Sequence, residues 1–407
     1  MTTPTVSLII VSRHRTAPLL RAITAVQLQD HAELELIVVA DPLAAAAVRA
    51  LGLPVKVAPF DVANIAAARN EGLALAAGEL VAFLDDDAVP EPTWISRLVA
   101  PFANAQVRVA TGFVRGRNGI SDQWRACDVD QFGWDHPASV DRLSLTLLSG
   151  SPTKAIKAQG TNCAFRWADL IAVGGFDEGF PFYLDDADIS LRLAALAGLT
   201  AIVPEAVVQH GFAASIRRRA DRAPCSLQDI GASSAYFLRQ HAPGCDMAAQ
   251  YKTHRQTQHT RLLRQMISGA IEPRDVSPLL GSFDKGWAGG LVQNVRQPKM
   301  PDFQAKDFLR LPTEQRVGVL LTGRLWQRRS LLRRAGVEAA LGKIVTVICL
   351  SPTTWYHHQM FESAGFWVQQ GGVYGKSVRD GRPLRLSGFS ARLREEAARI
   401  GRTRPVT

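Results

Sequence analysis

Four apolar residues, Val81-Ala82-Phe83-Leu84, run without a polar interruption and stop at three consecutive aspartates, Asp85, Asp86 and Asp87. A short run with no polar alternation is a strand covered on both faces, as in a parallel sheet flanked by helices. Pro90 and Pro92 break regular structure just beyond it. In an open α/β sheet, ligands bind outside the carboxyl ends of the strands. Neighbouring carboxylates at such a place repel one another and favour a cation. Hard oxygen ligands suit Mg²⁺ or Mn²⁺, and a divalent ion held that way can carry a diphosphate. A solvated acidic turn is the commoner fate of a bare Asp-Asp-Asp, and the apolar strand directly before it tips the reading toward a site.

The preceding residues repeat the same alternation. Val6–Val11 is expected to be a strand, Pro18–Leu28 a helix, Leu34–Val39 a strand and Leu43–Leu51 a helix. Val55–Ala58 then reads as a short strand and Ile65–Ala77 as a helix closed by Gly78. This order indicates a doubly wound, nucleotide-binding type of sheet. No GxGxxG or Walker A sequence follows the first strand, which argues against a dinucleotide or P-loop site.

Further on the pattern loosens. A strand at Val107–Val114 leads into a Trp- and Asp-rich loop region over Ser121–Ser139, and Gly174-Gly175 marks a turn. A helix over Asp186–Ala197 and a strand over Ala201–Val208 close this part. Residues 216–270 read as a helical basic extension, and 271–312, rich in glycine and proline, as a linker or loose connection. Val317–Thr322, Leu325–Leu341 and Lys343–Leu350 read strand, helix, strand, so 313–407 is expected to be a small C-terminal α/β unit behind a first domain spanning 1–215.

Hydrophobic content of 47% with 21% charged residues describes a chain that folds around a core. No window supplies the ~18 uninterrupted apolar residues of a membrane span, and MTTPTVSLIIVSRHR reads as a first strand rather than a signal peptide. The five cysteines are scattered without a CxxC, as in a reduced cytosolic chain free of disulfides and zinc. The net charge of +10 concentrates in Arg217-Arg218-Arg219 and in the arginine-rich stretch from Arg324 to Arg404. Such charge draws anionic lipid, a phosphorylated substrate or nucleic acid, or is simply a solvated face. Basic residues show little interleaving with aromatics, so no nucleic acid is expected. The expected location is the cytoplasm, including the inner face of the membrane as a peripheral protein. Nothing in the pattern speaks to oligomeric state.

A second acidic group, Asp185-Asp186-Ala187-Asp188, opens a helix whose Ile189, Leu193 and Leu196 share a face. Asp185 can cap that helix and Asp188 can pair with Arg192 at i+4, both structural roles. Asp186 has no evident partner, and beside Phe182 and Tyr183 it can accept a proton from a substrate hydroxyl. His210, just past an apolar strand, stands where a ligand would lie. His357 and His358 are adjacent; on a helix they would diverge by about 100°, so they read as surface or partly buried polar residues.

Several segments resemble the family 2 glycosyltransferases of the GT-A fold, over about residues 5–212. VSLIIVSRHRTAPLLRAITAVQLQ is similar to that family's opening strand, nucleotide-contacting loop and first helix, and ELELIVVADP to its second strand and following acidic residue. NIAAARNEGLALAAGELVAFLDDDAVPEPTW matches the helix and the strand that ends in the DxD motif. QGTNCAFRWADLIAVGGFDEGF resembles the acceptor-side segment, and LDDADISLRLAALAG the acidic helix start. Together they occur in the family's order and spacing.

The resemblance implies a GT-A-type doubly wound, mostly parallel sheet flanked by helices, and a metal-dependent inverting transfer of sugar from a nucleotide-diphosphate sugar to a hydroxyl of a glycan or lipid-linked cell-envelope acceptor. Asp85 would lie by the ribose and bridging metal, and Asp87 would coordinate the metal, Mn²⁺ or Mg²⁺, with His210 as a further contact. Asp41 would lie near the nucleobase, Ser12 and Arg69 along the nucleotide pocket, and Asp86 within the donor pocket. Thr161 and Asn162 would sit by sugar or acceptor, and Asp186 would be the base, with Asp185 the other candidate. The chain departs from the family at Ser12-Arg13-His14-Arg15, at Ala40 and at Asp185, where the usual glutamate is one methylene longer.

Rival readings are a catalytically weak glycan-binding or scaffold protein with a transferase-like domain, disfavoured because every motif carboxylate is present, and a nucleotidyltransferase, disfavoured because no glycine follows the first strand. No family attaches to residues from about 313 onward. There YHHQMFESAGFWVQQGGVYG is expected to form a small core rather than an acceptor wall, and the unit is expected to bind a partner or acceptor.

Overall fold

The computed structural model describes residues 3–211, 217–219, 221, 223–295, 298, 307–378 and 380–406. Its first half alternates as the apolar runs require: β1 (Val6–Ser12), α1 (Thr16–Val26), β2 (Leu34–Ala40), α2 (Pro42–Arg49), β3 (Val55–Pro59), α3 (Ile65–Leu75) and β4 (Leu80–Asp85). Asp41 caps α2, with Pro42 preset at its first turn, and Asn64 caps α3 by accepting from the Ala67 amide at 3.0 Å. A Cβ on Gly72 would lie 2.6 Å from Ile9 Cγ2, so glycine there lets α3 sit close on the sheet.

The chain continues through β5 (Ala88–Pro90), α4 (Trp94–Val99) and β6 (Val107–Arg115). Where an irregular loop region was expected over 121–139, three short strands form: β7 (Asp122–Trp124), β8 (Cys127–Asp130) and β9 (Asp135–Pro137). Their alternation is too brief to register in sequence; β7 pairs back on β6, β8 with β9, and β8 also with β11 further along the chain. Then follow β10 (Thr146–Ser149), β11 (Lys154–Ile156), β12 (Cys163–Arg166), α5 (Trp167–Ala172), α6 (Asp185–Ala194) and β13 (Leu199–His210). The large sheet runs β10-β13-β6-β12-β4-β1-β2-β3, with β5 added on β13 and β7 on β6. The block β4-β1-β2-β3 is parallel, and β12 enters antiparallel between β4 and β6. Buried clusters on both faces of the sheet cover it as a doubly wound sheet demands.

A helical layer follows, built of α7 (Gln228–His241), α8 (Met247–Ile267) and α9 (Pro273–Val292). Helix α9 takes the place of the first part of the expected linker over 271–312, of which residues 296–297 and 299–306 lie outside the described residues. Glycine and proline frequency misled there, because Glu272 and Asp275 form a capping box, Pro273 suits the first turn, and Leu279, Leu280, Phe283 and Trp287 bury against α7 and α8. The end of that stretch is also held: Leu311 is fully buried and its amide donates to the Leu34 carbonyl.

The last unit comprises β14 (Gly318–Arg324), α10 (Arg328–Ala340), β15 (Ile344–Ser351), β16 (His358–Glu362), β17 (Phe366–Gly372) and α11 (Phe389–Ile400). Its sheet order is β14-β15-β17-β16, with β16 antiparallel at the edge. His357 and His358 stand at a strand start, not on a helix, and His357 is buried, its ring bonded to the Gly372 carbonyl and to Gln369. Phe361 and Trp367 pack with Ile344 on Ala25 of α1, Leu28 just beyond it and Val89 of β5. No helix among the described residues is long and apolar enough to cross a membrane.

Candidate functional site

Pairing decides which residues share an edge. Parallel register sets Val11 beside Asp85 and Ser12 beside Ala40, so the loop after β1 meets the end of β4. Antiparallel pairing of β5 with β13 sets His210 opposite Ala88. The three aspartates then diverge. Asp85 and Asp87 both line a cleft, Asp85 the more exposed of the two, while Asp86 turns inward.

Asp87 lies 3.1 Å from His210 Nε2 and 3.4 Å from Arg15 Nη1, and Asp85 lies 3.6 Å from the same imidazole nitrogen. One ligand atom from each of Asp85, Asp87 and His210 falls within 4.8 Å of the others. Two carboxylates and an imidazole converging from two strands fit a divalent cation of the Mn²⁺ or Mg²⁺ class. Asp86 is fully buried, accepting from Ser12 Oγ at 2.6 Å and paired with Arg15. Burial pushes its carboxyl up to about 7, against the pull of the Arg15 guanidinium.

The cleft beside these groups has a volume of about 590 Å³. Its lining includes Ser12, Arg13, His14 and Arg15, Phe60, Asn64 and Phe182, Asp85 and Asp87, and Arg217 and Arg218, of which Arg217 also pairs with Asp229. Of the expected nucleotide-pocket residues, Ser12 and Asp85 open on this cleft; Asp41, Arg69 and Asp86 are buried behind its wall. Asp41 is spent on backbone: it accepts from the amides of His14, at 2.8 Å, and Ala44. Burial alone would raise its carboxyl, but those bonds hold it below the ordinary carboxylate range. His14 has a φ of 58°, so Asp41 pins an unusual loop conformation.

Arg69 links the two acidic groups. It pairs with Asp185 and stands over the rings of Phe176 and Phe83 at 5.2 and 5.7 Å. Burial opposes its charge, while Asp185 and then Asp85 raise its pKa. Asp185 therefore does not cap α6. The cap position is Leu184, at a φ of 67° directly after Tyr183 at 73°, and this left-handed turn swings Asp185 onto Arg69. Burial raises the Asp185 carboxyl and Arg69 opposes it. Asp188 pairs with Arg192, as the i+4 spacing indicated, and also with His241.

Asp186 is the more open of the two candidate bases, its side chain 22% exposed against 9% for Asp185. It is not partnerless: Lys157 Nζ lies 3.6 Å away and also bridges to Asp135 at 3.1 Å. Burial opposes the Lys157 charge, but Asp186 and Asp135 more than restore it and raise its pKa. Thr161 is buried beside Gly160, whose carbonyl Arg69 reaches. Asn162, expected by the sugar or acceptor, is fully buried, and its amide is wholly committed to the scaffold. It accepts from Trp94 Nε1 at 2.7 Å and donates to the carbonyls of Phe113 and Ala206.

Arg15, Lys157 and Asp135 were not singled out by sequence, and the Arg217–Arg219 run was noticed without a place. A positive run has no address until Arg217 and Arg218 come to line the same cleft as Asp85 and Asp87.

Residues 7–166 match the family model described as glycosyl transferase family 2. A pre-mycofactocin glycosyltransferase of Mycobacterium tuberculosis is 30% identical over 156 residues, which is 37% of this chain and 31% of that protein. The matched part thus spans about a third of the relative's length. Among solved structures, the mannosyltransferase PcManGT from Pyrobaculum calidifontis, in complex with GDP-Man and Mn²⁺, is 17% identical over 72% of this chain and 88% of its own, at a TM-score of 0.43. S. aureus TarS is 17% identical over 64% of this chain and 43% of its own, at a TM-score of 0.39.

Proposed function

We propose, on the premise that residues 7–166 of this chain are a glycosyl transferase family 2 segment, that the protein transfers a sugar from a nucleoside-diphosphate sugar to an acceptor hydroxyl. The observation that carries this reading is the convergence of Asp85, Asp87 and His210 on a cleft that Arg217 and Arg218 also line. Those three residues would hold Mn²⁺ or Mg²⁺, which supplies positive charge against the departing diphosphate. Arg15, Arg217 and Arg218 add fixed charge for the same phosphates.

Asp186 takes the proton of the attacking hydroxyl, since it is the more exposed carboxylate at the start of α6. Lys157 orients it, with Nζ 3.6 Å from the carboxylate. Attack from the side opposite the diphosphate inverts the anomeric carbon. The acceptor is a glycan or lipid-linked hydroxyl.

The test is a thermal-shift screen of UDP-, GDP-, dTDP- and CDP-sugars with and without Mn²⁺, followed by transfer assays with the stabilising donor. A ligand that binds only the folded state raises the melting temperature. A donor that stabilises only with the metal ion, and whose sugar is transferred or slowly hydrolysed, supports the reading. No stabilisation by any of the four, with or without metal, would sink it.

A further inference from the structure

Strands β14, β15 and β17 are mutually parallel, so the loops that follow them leave the small sheet at one edge. Each loop exposes a large apolar side chain. Trp326 follows β14 and is 74% exposed, Trp355 and Tyr356 follow β15, and Leu384 and Leu386, the latter 89% exposed, follow β17. These are not loose tails. The Tyr374 amide donates to the Thr353 carbonyl, the Arg385 amide to the Tyr374 carbonyl, and the His357 amide to the Lys376 carbonyl. Arg324 stacks 3.7 Å over the Phe389 ring, tying the β14 end to the segment that carries Leu386.

Cations stand among these rings. Arg324, Arg328, Lys376 and Arg382 make no ion pair with a carboxylate among the described residues, and Lys376 lies 5.8 Å over the Tyr356 ring. The acidic residue of the edge, Asp380, is already taken by Arg125 and Arg142 of the first domain. Rings and apolar side chains presented together with uncompensated arginine and lysine match the headgroup zone of an anionic bilayer. There amphipathic rings settle at the interface and basic side chains meet acidic lipids.

We propose that this edge of the C-terminal unit is a docking surface for anionic phospholipid membrane, a role separate from the transfer reaction. The chain binds from the water side, through exposed Trp326, Trp355, Tyr356 and Leu386 with Lys376 and Arg382 beside them.

The full chain, without donor or metal ion, is sedimented with vesicles of phosphatidylcholine alone or mixed with phosphatidylglycerol. Binding is expected to the mixed vesicles and not to phosphatidylcholine alone. Trp326→Ser with Leu386→Ser, and separately Lys376→Glu with Arg382→Glu, should each weaken it about tenfold or more, with melting temperatures little changed because Trp326, Leu386 and Arg382 are exposed and Lys376 is only half-buried. Absence of binding to either vesicle, or binding by both double variants equal to the parent, overturns the proposal. So does self-association of the parent that the Trp326→Ser, Leu386→Ser variant abolishes, which would assign the edge to a second copy of the chain.

Discussion

Glu91 and Arg404, 313 residues apart, meet in a two-point ion pair closed off from solvent, at 2.8 and 2.9 Å. Glu91 stands one residue beyond β5, and Arg115 bonds it from a third side at 3.0 Å. Burial would raise the Glu91 carboxyl, yet Arg404 and Arg115 hold it below the ordinary range. The Arg404 guanidinium in turn lies 4.1 Å over the Trp367 ring. The tail of the chain is thus bolted to the strand that follows the three aspartates.

Removing one partner of a buried pair strands the other charge. Arg404→Met should destabilise the protein by about 3–5 kcal/mol. Arg404→Lys should recover only part of the loss, because an ammonium cannot make the fork. Urea denaturation of the three proteins checks this, and equal stability of Arg404→Met and parent would show the pair to be idle.

The proposed roles separate by which step they touch. Asp87→Ala should abolish Mn²⁺ binding seen by calorimetry and with it the metal-dependent donor affinity. Asp186→Asn should leave donor affinity near the parent value while turnover falls about a hundred- to ten-thousand-fold. Full turnover in Asp186→Asn would remove it as the base and return attention to Asp185.

Asn162 ties three segments together with one amide, so its loss should appear in stability before it appears in acceptor kinetics. Asn162→Ala strands Trp94 Nε1 and the carbonyls of Phe113 and Ala206, at a cost of about 3 kcal/mol. A stable Asn162→Ala protein with a raised acceptor KM would reverse this assignment and restore a substrate contact.

His254 stacks on Trp134 with ring centroids 4.1 Å apart, joining α8 to the loop between β8 and β9. Burial lowers its pKa from 6.5 to about 4, so the folded protein keeps it neutral. The unfolded chain takes up a proton below pH 6.5 and the folded one does not until about pH 4. Stability should therefore fall as pH drops across that window, by up to roughly 3 kcal/mol. His254→Phe, which cannot ionise, should flatten that part of the pH–stability curve; an unchanged curve would show another group responsible.

Much of the site was legible because it rests on local pattern. The run Val81–Leu84 could only be a covered strand, Asp85–Asp87 had to stand at its end, and Asp188 found Arg192 at helical spacing. What misled was also local. Glycine and proline over 271–312 concealed α9, whose stability comes from burial of Phe283 and Trp287 against α7. Asp185 looked like a cap until the left-handed turn at Tyr183-Leu184 aimed it at Arg69. The short strands β7, β8 and β9 are only three or four residues long, and β8 is completed by β11 more than twenty residues further on.

By itself the sequence determined the alternation of strands and helices, the doubly wound sheet and the chemistry available at the end of β4, because hydrophobic period and side-chain type act over a few residues. Only the tertiary structure decided which carboxylates face the cleft and which are spent on the scaffold. Asp41 and Asn162 are consumed by backbone groups and an indole, Asp85 and Asp87 are left facing His210, and Asp186 meets Lys157. That division depends on desolvation and on partners brought together across the chain, which no single stretch of residues encodes.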